Sequence, residues 1–183
     1  MRNIDLSIII VSWNVRDMLR DCLHSIQNSQ QDIEYEIILI DNASTDGTRE
    51  LLIQEFTNLE VEYNPKNEGL AKPWNRAAKR ARGEFLLFLN DDTVISDHCL
   101  DKCLSELKNN TKIGVLGCKI NNPDNSIQPS VRSFPSFYNQ LIILSKLHNF
   151  FPKLIKKYTC SNFDYSLSQD VDQVMGAFFL MPK

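Results

Sequence analysis

The chain alternates short apolar runs with segments in which apolar residues recur at helical spacing. The runs are nearly continuous and rich in β-branched and aromatic residues, which is typical of strands buried on both faces of a parallel sheet. They predict strands at residues 6–11, 37–40, 61–63, 85–89 and 113–120, and a late strand at 174–181. The spacing of apolar residues between them predicts amphipathic helices at residues 15–26, 51–56, 70–81 and 100–107.

This order of elements predicts an α/β fold with a doubly wound, mostly parallel sheet and right-handed crossovers. The pattern loosens after residue 121, where Asn, Pro and Asp form a turn cluster. We therefore expect an α/β domain at residues 1–121 and a loop-rich part at residues 122–183.

Composition narrows the class of protein further. The chain has 183 residues, of which 43% are hydrophobic and 23% charged, so it can bury a core without disulfides or metals. A formal net charge of −3 argues against general nucleic-acid binding. No apolar run approaches the roughly 20 residues of a membrane span, so we expect a cytoplasmic protein.

Polar residues follow three of the predicted strands at the point where each strand ends. They are Ser12-Trp13-Asn14, Asp41-Asn42-Ala43-Ser44 and Asn90-Asp91-Asp92-Thr93. Ligands of open α/β sheets bind beyond the carboxyl ends of the strands. The three loops therefore predict one binding site.

Asp91 and Asp92 directly follow five apolar residues. Adjacent carboxylates at a buried strand end repel each other and lose hydration, and a divalent cation relieves both costs. Hard oxygen ligands favour Mg²⁺ or Mn²⁺. The alternative is that one of these acids only caps the turn before Ser96.

Asp41 and Trp13 are each open to two interpretations. Asp41 could accept hydrogen bonds from a nucleobase or a ribose, or it could be an ordinary turn residue before Asn42. Trp13 could stack on a nucleobase, or it could be a core aromatic residue.

Several phosphate-binding and catalytic motifs are missing from the sequence. There is no G-x-G-x-x-G after the first strand, no G-x-x-x-x-G-K-[ST] and no G-x-S-x-G. These absences argue against a nicotinamide-dinucleotide fold, a P-loop NTPase and most serine hydrolases. Phosphate would then be held through a metal rather than by a glycine-rich loop.

The motifs resemble glycosyltransferase family 2, and its bacterial rhamnosyltransferase-like members in particular. The resemblance rests on Val-Ser-Trp-Asn at 11–14, Asp-Asn-Ala-Ser-Thr-Asp-Gly-Thr at 41–48, Asn-Glu-Gly at 67–69 with Asn75, and Leu-Asn-Asp-Asp-Thr at 89–93. Arg-Ser-Phe-Pro at 132–135 and Val-Met-Gly-Ala at 174–177 fit the same group.

The resemblance implies a GT-A fold, a nucleotide-diphosphate sugar donor and Mg²⁺ or Mn²⁺. It also implies inverting transfer of the sugar to a glycan or lipid-linked acceptor, with residues 122–183 on the acceptor side. The nucleobase pocket would fall on the Val11 main chain, Trp13 and Asp41. Asn42 would also bind the substrate, and Asn14 and Asn67 would shape the donor pocket. The D-x-D motif would fall on residues 90–92, with Asn90 replacing its first acid, Asp91 near the donor and Asp92 as the metal ligand.

The sequence departs from the family pattern at its end. The family usually continues past Gly176-Ala177 to a Glu-Asp pair that supplies the general base, and this sequence ends at Lys183 without one. We expect the base to lie beyond Lys183, with Asp170 and Asp172, spaced to share one strand face, as the alternatives within the chain. A catalytically silent nucleotide-sugar or carbohydrate-binding module is therefore the second functional hypothesis.

The charge is distributed unevenly. Residues 125–162 contain no acidic residue but five basic ones, Arg132, Lys146, Lys153, Lys156 and Lys157, interleaved with apolar residues. A helix formed by this mixture of basic and apolar residues could lie on the anionic inner face of a membrane, or it could pack against the sheet with its lysines in solvent. The second interpretation is preferred because Pro152 interrupts the pattern.

Overall fold

A computed structural model of the chain describes residues 4–29 and 32–183. The chain forms two compact units, one made of residues 1–116 and 176–183 and the other of residues 117–175. The first unit contains these elements: β1 (Leu6–Ser12), α1 (Arg16–Asn28), β2 (Tyr35–Asp41), α2 (Thr48–Glu55), β3 (Glu60–Tyr63), α3 (Ala71–Arg80), β4 (Phe85–Leu89) and α4 (Cys99–Asn109), with the last strand returning from the end of the chain.

The second unit is built from short elements. They are β5 (Ile120–Asn121), β6 (Ile127–Gln128), β7 (Val131–Arg132), α5 (Phe137–Leu144), two 3₁₀ helices (Leu147–Asn149 and Pro152–Ile155) and β8 (Gln173–Val174). β5 pairs with β6 and β7 with β8, both antiparallel. The last strand of the chain, β9 (Phe178–Pro182), belongs to the first unit.

A five-stranded sheet in the order β3-β2-β1-β4-β9 forms the centre of the first unit. The first four strands are mutually parallel, and β9 runs antiparallel to β4. Ile9 and Val11 of β1 pack in one cluster with Ala77 of α3. Ile8 and Ile10, which point to the opposite face, are also fully buried. Both faces of the sheet are covered, so the predicted α/β fold with a mostly parallel sheet is confirmed.

Two predicted strands differ from the structure. Residues 113–120 contain no strand of the main sheet; Leu116 makes a single bridge to Leu180, and β5 starts only at Ile120. The predicted late strand at 174–181 is divided into β8 and β9, which belong to different units. Residues 176–183 belong to the first unit because β9 pairs with β4.

None of the helices within the described residues is both long enough and apolar enough to span a bilayer.

Gly83 lies where the chain enters β4 and approaches the main chain of β1 closely. Its N–H donates to the Ser7 hydroxyl, and that hydroxyl donates in turn to Glu36 Oε1 at 2.6 Å. A Cβ atom on Gly83 would stand 2.5 Å from the main-chain nitrogen of Ser7. Only glycine fits at this contact.

Substitution Gly83→Ala should lower the free energy of unfolding by about 1–3 kcal/mol, since backbone would have to move to admit the methyl group. Gly114→Ala is the matched control, because no heavy atom lies within 4 Å of a Cβ placed there. Urea unfolding measures both variants. Equal stability of the two would contradict the close approach.

Candidate functional site

The carboxyl ends of β1, β2 and β4 lie side by side in the sheet. Ser12, the last residue of β1, is in register with Asp41, the last residue of β2. On the other side the β1–β4 ladder ends at Ile10 and Leu89, just before Val11 and Asn90. The polar segments that follow these three strands therefore leave the sheet from one edge, as predicted.

Hydrogen bonds join the loop after β1 to the loop after β2. Asn14, which has a positive φ of 55°, donates its N–H to the Ser44 hydroxyl and accepts the Thr45 N–H at Oδ1. The Arg16 N–H donates to Asp46 Oδ2 at 2.9 Å. The main-chain and side-chain groups of Asn14 thus fix the relative position of the two loops.

Asp46 also organises the start of α2. Its Oδ1 accepts hydrogen bonds from the Thr48 N–H and the Thr48 hydroxyl. Burial alone would raise the pKa of Asp46. These hydrogen bonds and the one from the Arg16 N–H have the larger effect, so the pKa lies below its usual range. The carboxylate form is therefore the one that holds this loop.

Asn42 is 3% exposed, and its side chain makes four hydrogen bonds within the chain. Its Nδ2 donates to Asn67 Oδ1 at 2.9 Å and to the Gly69 carbonyl at 3.1 Å. Its Oδ1 accepts from Asn64 Nδ2 and from the Glu68 N–H. These bonds use the full capacity of the amide. Asn42 therefore holds the loop after β3 rather than presenting its side chain to a ligand.

Asn64 and Arg76 continue this network, and the sequence analysis did not identify either of them. Arg76 Nη2 donates to Asn64 Oδ1 at 2.6 Å, and its guanidinium also pairs with Glu68 and Glu62. Asn64 is the first residue after β3. The argument that we applied to the ends of the other three strands would have identified Asn64 if it had also been applied to β3.

Asn67 Oδ1 accepts from both Asn42 Nδ2 and the Gly69 N–H, so its carbonyl oxygen is used within the loop. Gly69 has a φ of +74°, which the turn requires. The loop at 64–69 is consequently a fourth polar segment with a defined shape.

The segment after β4 carries the two adjacent carboxylates. The main chain of Asn90 is fixed on both sides: its N–H donates to the Ala177 carbonyl at 3.0 Å, and its carbonyl accepts from the Cys22 thiol at 3.7 Å. Burial raises the pKa of Cys22 to about 12, with the charges of Asp91 and Asp92 adding to it, so this thiol stays protonated.

Asp91 and Asp92 differ in their surroundings. Asp91 is partly buried, whereas Asp92 is exposed. Burial raises the pKa of Asp91, and the charge of Asp92 raises it further, while the Ser12 hydroxyl and the Trp13 main chain lower it. Placing negative charge on both residues is thus costly in the absence of a cation. Two carboxylates, one of them exposed, are a suitable oxygen donor set for Mg²⁺ or Mn²⁺.

Trp13 and Asp41 differ strongly in their exposure to solvent. Trp13 is 53% exposed, so it is not a core aromatic residue and its ring is available for stacking. Asp41 is only 3% exposed, and its Oδ1 accepts the Ser44 N–H at 3.2 Å. One oxygen of the Asp41 carboxylate therefore helps to shape the turn, and ligand binding by the other oxygen stays a prediction. Val11 is 9% exposed and packs in the core cluster of β1 and α3.

Asp170 and Asp172 lie in the second unit, before β8, and not on a strand face as expected. Asp172 Oδ2 accepts the Phe134 N–H at 3.1 Å, which gives it a structural contact. Asp170 is exposed.

The sequence profile of the family described as "Glycosyl transferase family 2" matches residues 7–168. That match covers most of the chain, including the polar segments that follow β1, β2, β3 and β4. The chain belongs to glycosyl transferase family 2.

Curated relatives and solved structures agree with this membership. A poly(ribitol-phosphate) beta-glucosyltransferase of Bacillus spizizenii is 34% identical over 117 residues, which is 61% of this chain and 18% of that protein. A poly-beta-1,6-N-acetyl-D-glucosamine synthase of Staphylococcus epidermidis is 26% identical over 185 residues, covering 97% of this chain and 39% of that protein.

The crystal structure of residues 1–349 of S. aureus TarS with UDP-GlcNAc superposes with a TM-score of 0.60 at 26% identity. It covers 72% of this chain and 39% of that chain. The chain thus spans less than half the length of these proteins, and its fold is that of GT-A glycosyltransferases.

Substitution Asn42→Asp should lower the free energy of unfolding by about 2 kcal/mol or more, because Asn67 Oδ1 and the Gly69 carbonyl both lose a buried donor. Asn58→Asp is the matched control, since Asn58 is exposed in the turn before β3. Thermal and urea unfolding provide the measurement. If both variants lose the same small amount, the amide network does not hold the loop.

Proposed function

We propose that this chain provides the donor-binding part of an inverting, metal-dependent glycosyltransferase that uses a nucleotide-diphosphate sugar. The observation that carries the proposal is the joint placement of Trp13, Asp41, Asp91 and Asp92 at the carboxyl edge of β1, β2 and β4. Family membership supports the reaction class, and the UDP-GlcNAc complex of TarS supports the class of donor.

The nucleoside would lie against the loops after β1 and β2. The exposed Trp13 ring offers a stacking face, and the Val11 main chain and the second carboxylate oxygen of Asp41 would bond to a base or ribose. Asn14 and Asn67 would shape this pocket through the hydrogen bonds that fix their loops. Asn42 would contribute by holding the 64–69 loop, while Asn90 would position the two acids through its fixed main chain.

Asp92 would hold the cation, and Asp91 would lie near the ribose or donor sugar. The raised pKa of Asp91 and the exposure of Asp92 fit a site that a divalent ion completes. When bound, Mg²⁺ or Mn²⁺ supplies positive charge beside the diphosphate leaving group. The cation also compensates the repulsion between the two carboxylates, so its binding is coupled to ionisation of Asp91.

The transfer itself would be an in-line displacement at the anomeric carbon. An acceptor hydroxyl forms the new glycosidic bond as its proton passes to a general base, and the bond to the diphosphate breaks on the opposite face, which inverts the configuration. This chain's residues bind and orient the donor for that step. Of the two candidates for the base within the chain, Asp172 accepts the Phe134 N–H and Asp170 is exposed.

The acceptor would be a glycan or a lipid-linked glycan. Relatives named for poly(ribitol phosphate) and poly-N-acetylglucosamine support a cell-surface polymer as its product. The same proposal places the reaction in the cytoplasm, as the sequence predicts.

Calorimetry with UDP, GDP and dTDP, each with and without Mn²⁺, tests donor and metal binding together. We expect one of these nucleotides to bind in a Mn²⁺-dependent manner, and Asp92→Asn to weaken that binding about tenfold or more. Asp21→Asn on α1 is the charge-matched control, because Asp21 is exposed and is not among the predicted site residues. Equal binding without Mn²⁺ would contradict the metal assignment. Donor binding without sugar transfer would favour the silent binding module.

Substitution Trp13→Ala should weaken nucleotide binding by about 1–3 kcal/mol, the value of one base stacked on an aromatic ring. Trp13→Phe should retain most of the affinity, because a stacking face remains. The exposure of Trp13 makes a change in stability small, which thermal unfolding checks. Equal affinity of the alanine and phenylalanine variants would show that the ring does not stack.

A further inference from the structure

The second unit presents large apolar side chains to solvent on and just after α5. Phe137 is 86% exposed, Leu144 80% and Phe150 79%, and Leu141 and Phe151 are more than half exposed. Of the eight residues of α5, only Ile142 is buried. Within α5, only the burial of Ile142 supports the interpretation of a helix packed against other parts of the chain.

Four lysines accompany these side chains. Lys146 follows α5, and Lys153, Lys156 and Lys157 lie in and after the second 3₁₀ helix; all four are exposed. The whole segment 125–162 carries no acidic residue. The lysines therefore form a positive field that no carboxylate within the segment neutralises.

We propose that residues 137–157 form a docking surface for an anionic lipid bilayer. Phenylalanine and leucine side chains would enter the boundary between headgroups and acyl chains, and the lysines would pair with lipid phosphates. The proposal concerns a surface of the second unit and does not depend on donor binding by the first.

Charge complementarity decides between this occupant and two others. A second copy of the chain would bring its own lysines against these, so self-association through this surface is opposed by like charge. A soluble polyanion would neutralise the lysines but leave the phenyl rings in water. An anionic bilayer satisfies both kinds of side chain.

The helix ends and turns in this segment suit a shallow contact. α5 stops at Leu144, and Lys146 adopts a positive φ of 55° before the first 3₁₀ helix. The direction of the chain therefore changes repeatedly within about twenty residues. Such a surface lies at the interface and does not cross it.

Co-sedimentation of the whole chain with vesicles tests the proposal, without any nucleotide present. We expect the protein to pellet with vesicles of phosphatidylglycerol and phosphatidylcholine, not with phosphatidylcholine alone, and to be released by added salt. Equal pelleting with both vesicles, or full competition by soluble polyphosphate at equal phosphate concentration, would overturn it. Self-association without lipid in analytical ultracentrifugation, lost in the variants below, would overturn it in favour of a dimer.

Two pairs of substitutions localise the contact. Lys156→Gln with Lys157→Gln should weaken binding about twenty-five-fold, since each lysine near an anionic surface contributes about fivefold. Phe137→Ser with Leu144→Ser should weaken it at least about tenfold through lost apolar burial.

The control pairs are Lys102→Gln with Lys112→Gln and Met18→Ser with Ile53→Ser, all exposed residues of the first unit. Thermal unfolding confirms that each variant is folded. If the control pairs reduce vesicle binding as much as the pairs in the second unit, the proposed surface is wrong.

Discussion

The parallel register of β1, β2 and β4 is the constraint on which the site depends. Pairing Ser12 with Asp41 places the ends of two strands at the same level, and the loops that follow have one relative position because Asn14 hydrogen-bonds to Ser44 and Thr45. A shift of one residue in β1 would reverse every side chain of that strand. Such a shift would take the buried Ser7 hydroxyl away from the Gly83 N–H and from Glu36 Oε1, so these hydrogen bonds help to fix the positions of the polar groups.

Two kinds of polar interaction follow from this arrangement. The amides of Asn42, Asn64 and Asn67 are satisfied by each other and by nearby main chain, so they make the 64–69 loop rigid. Asp91 and Asp92 repel each other, and the burial of Asp91 further disfavours negative charge on both residues at once. A preorganised binding site needs supporting groups that are rigid, as these amides are. The repulsion between the two carboxylates would then be relieved by the cation that binds with the ligand.

Much of the first unit could be predicted from the sequence because its strands are short, fully apolar runs. The 113–120 segment could not, since a run of apolar residues shows hydrophobicity but not whether a partner strand is available; Leu116 has only a bridge to Leu180. The antiparallel return of β9 depends on contacts with a strand ninety residues earlier. The pattern of apolar residues at 174–181 also could not show that these residues form two strands in different units.

The candidate site shows the same limit at the level of single side chains. The strand-end rule identified Trp13, Asp41, Asp91 and Asp92, but it could not separate residues that face a ligand from those that support a loop. Asn42 belongs to the second group because four hydrogen bonds use its amide. The roles in donor and metal binding remain proposals.

The most direct test of these roles is a crystal structure of this chain with UDP and Mn²⁺, recorded with anomalous scattering from manganese. The account predicts an anomalous peak bound to the Asp92 carboxylate, with the base beside Trp13. A nucleotide bound elsewhere, or manganese away from Asp92, would contradict it.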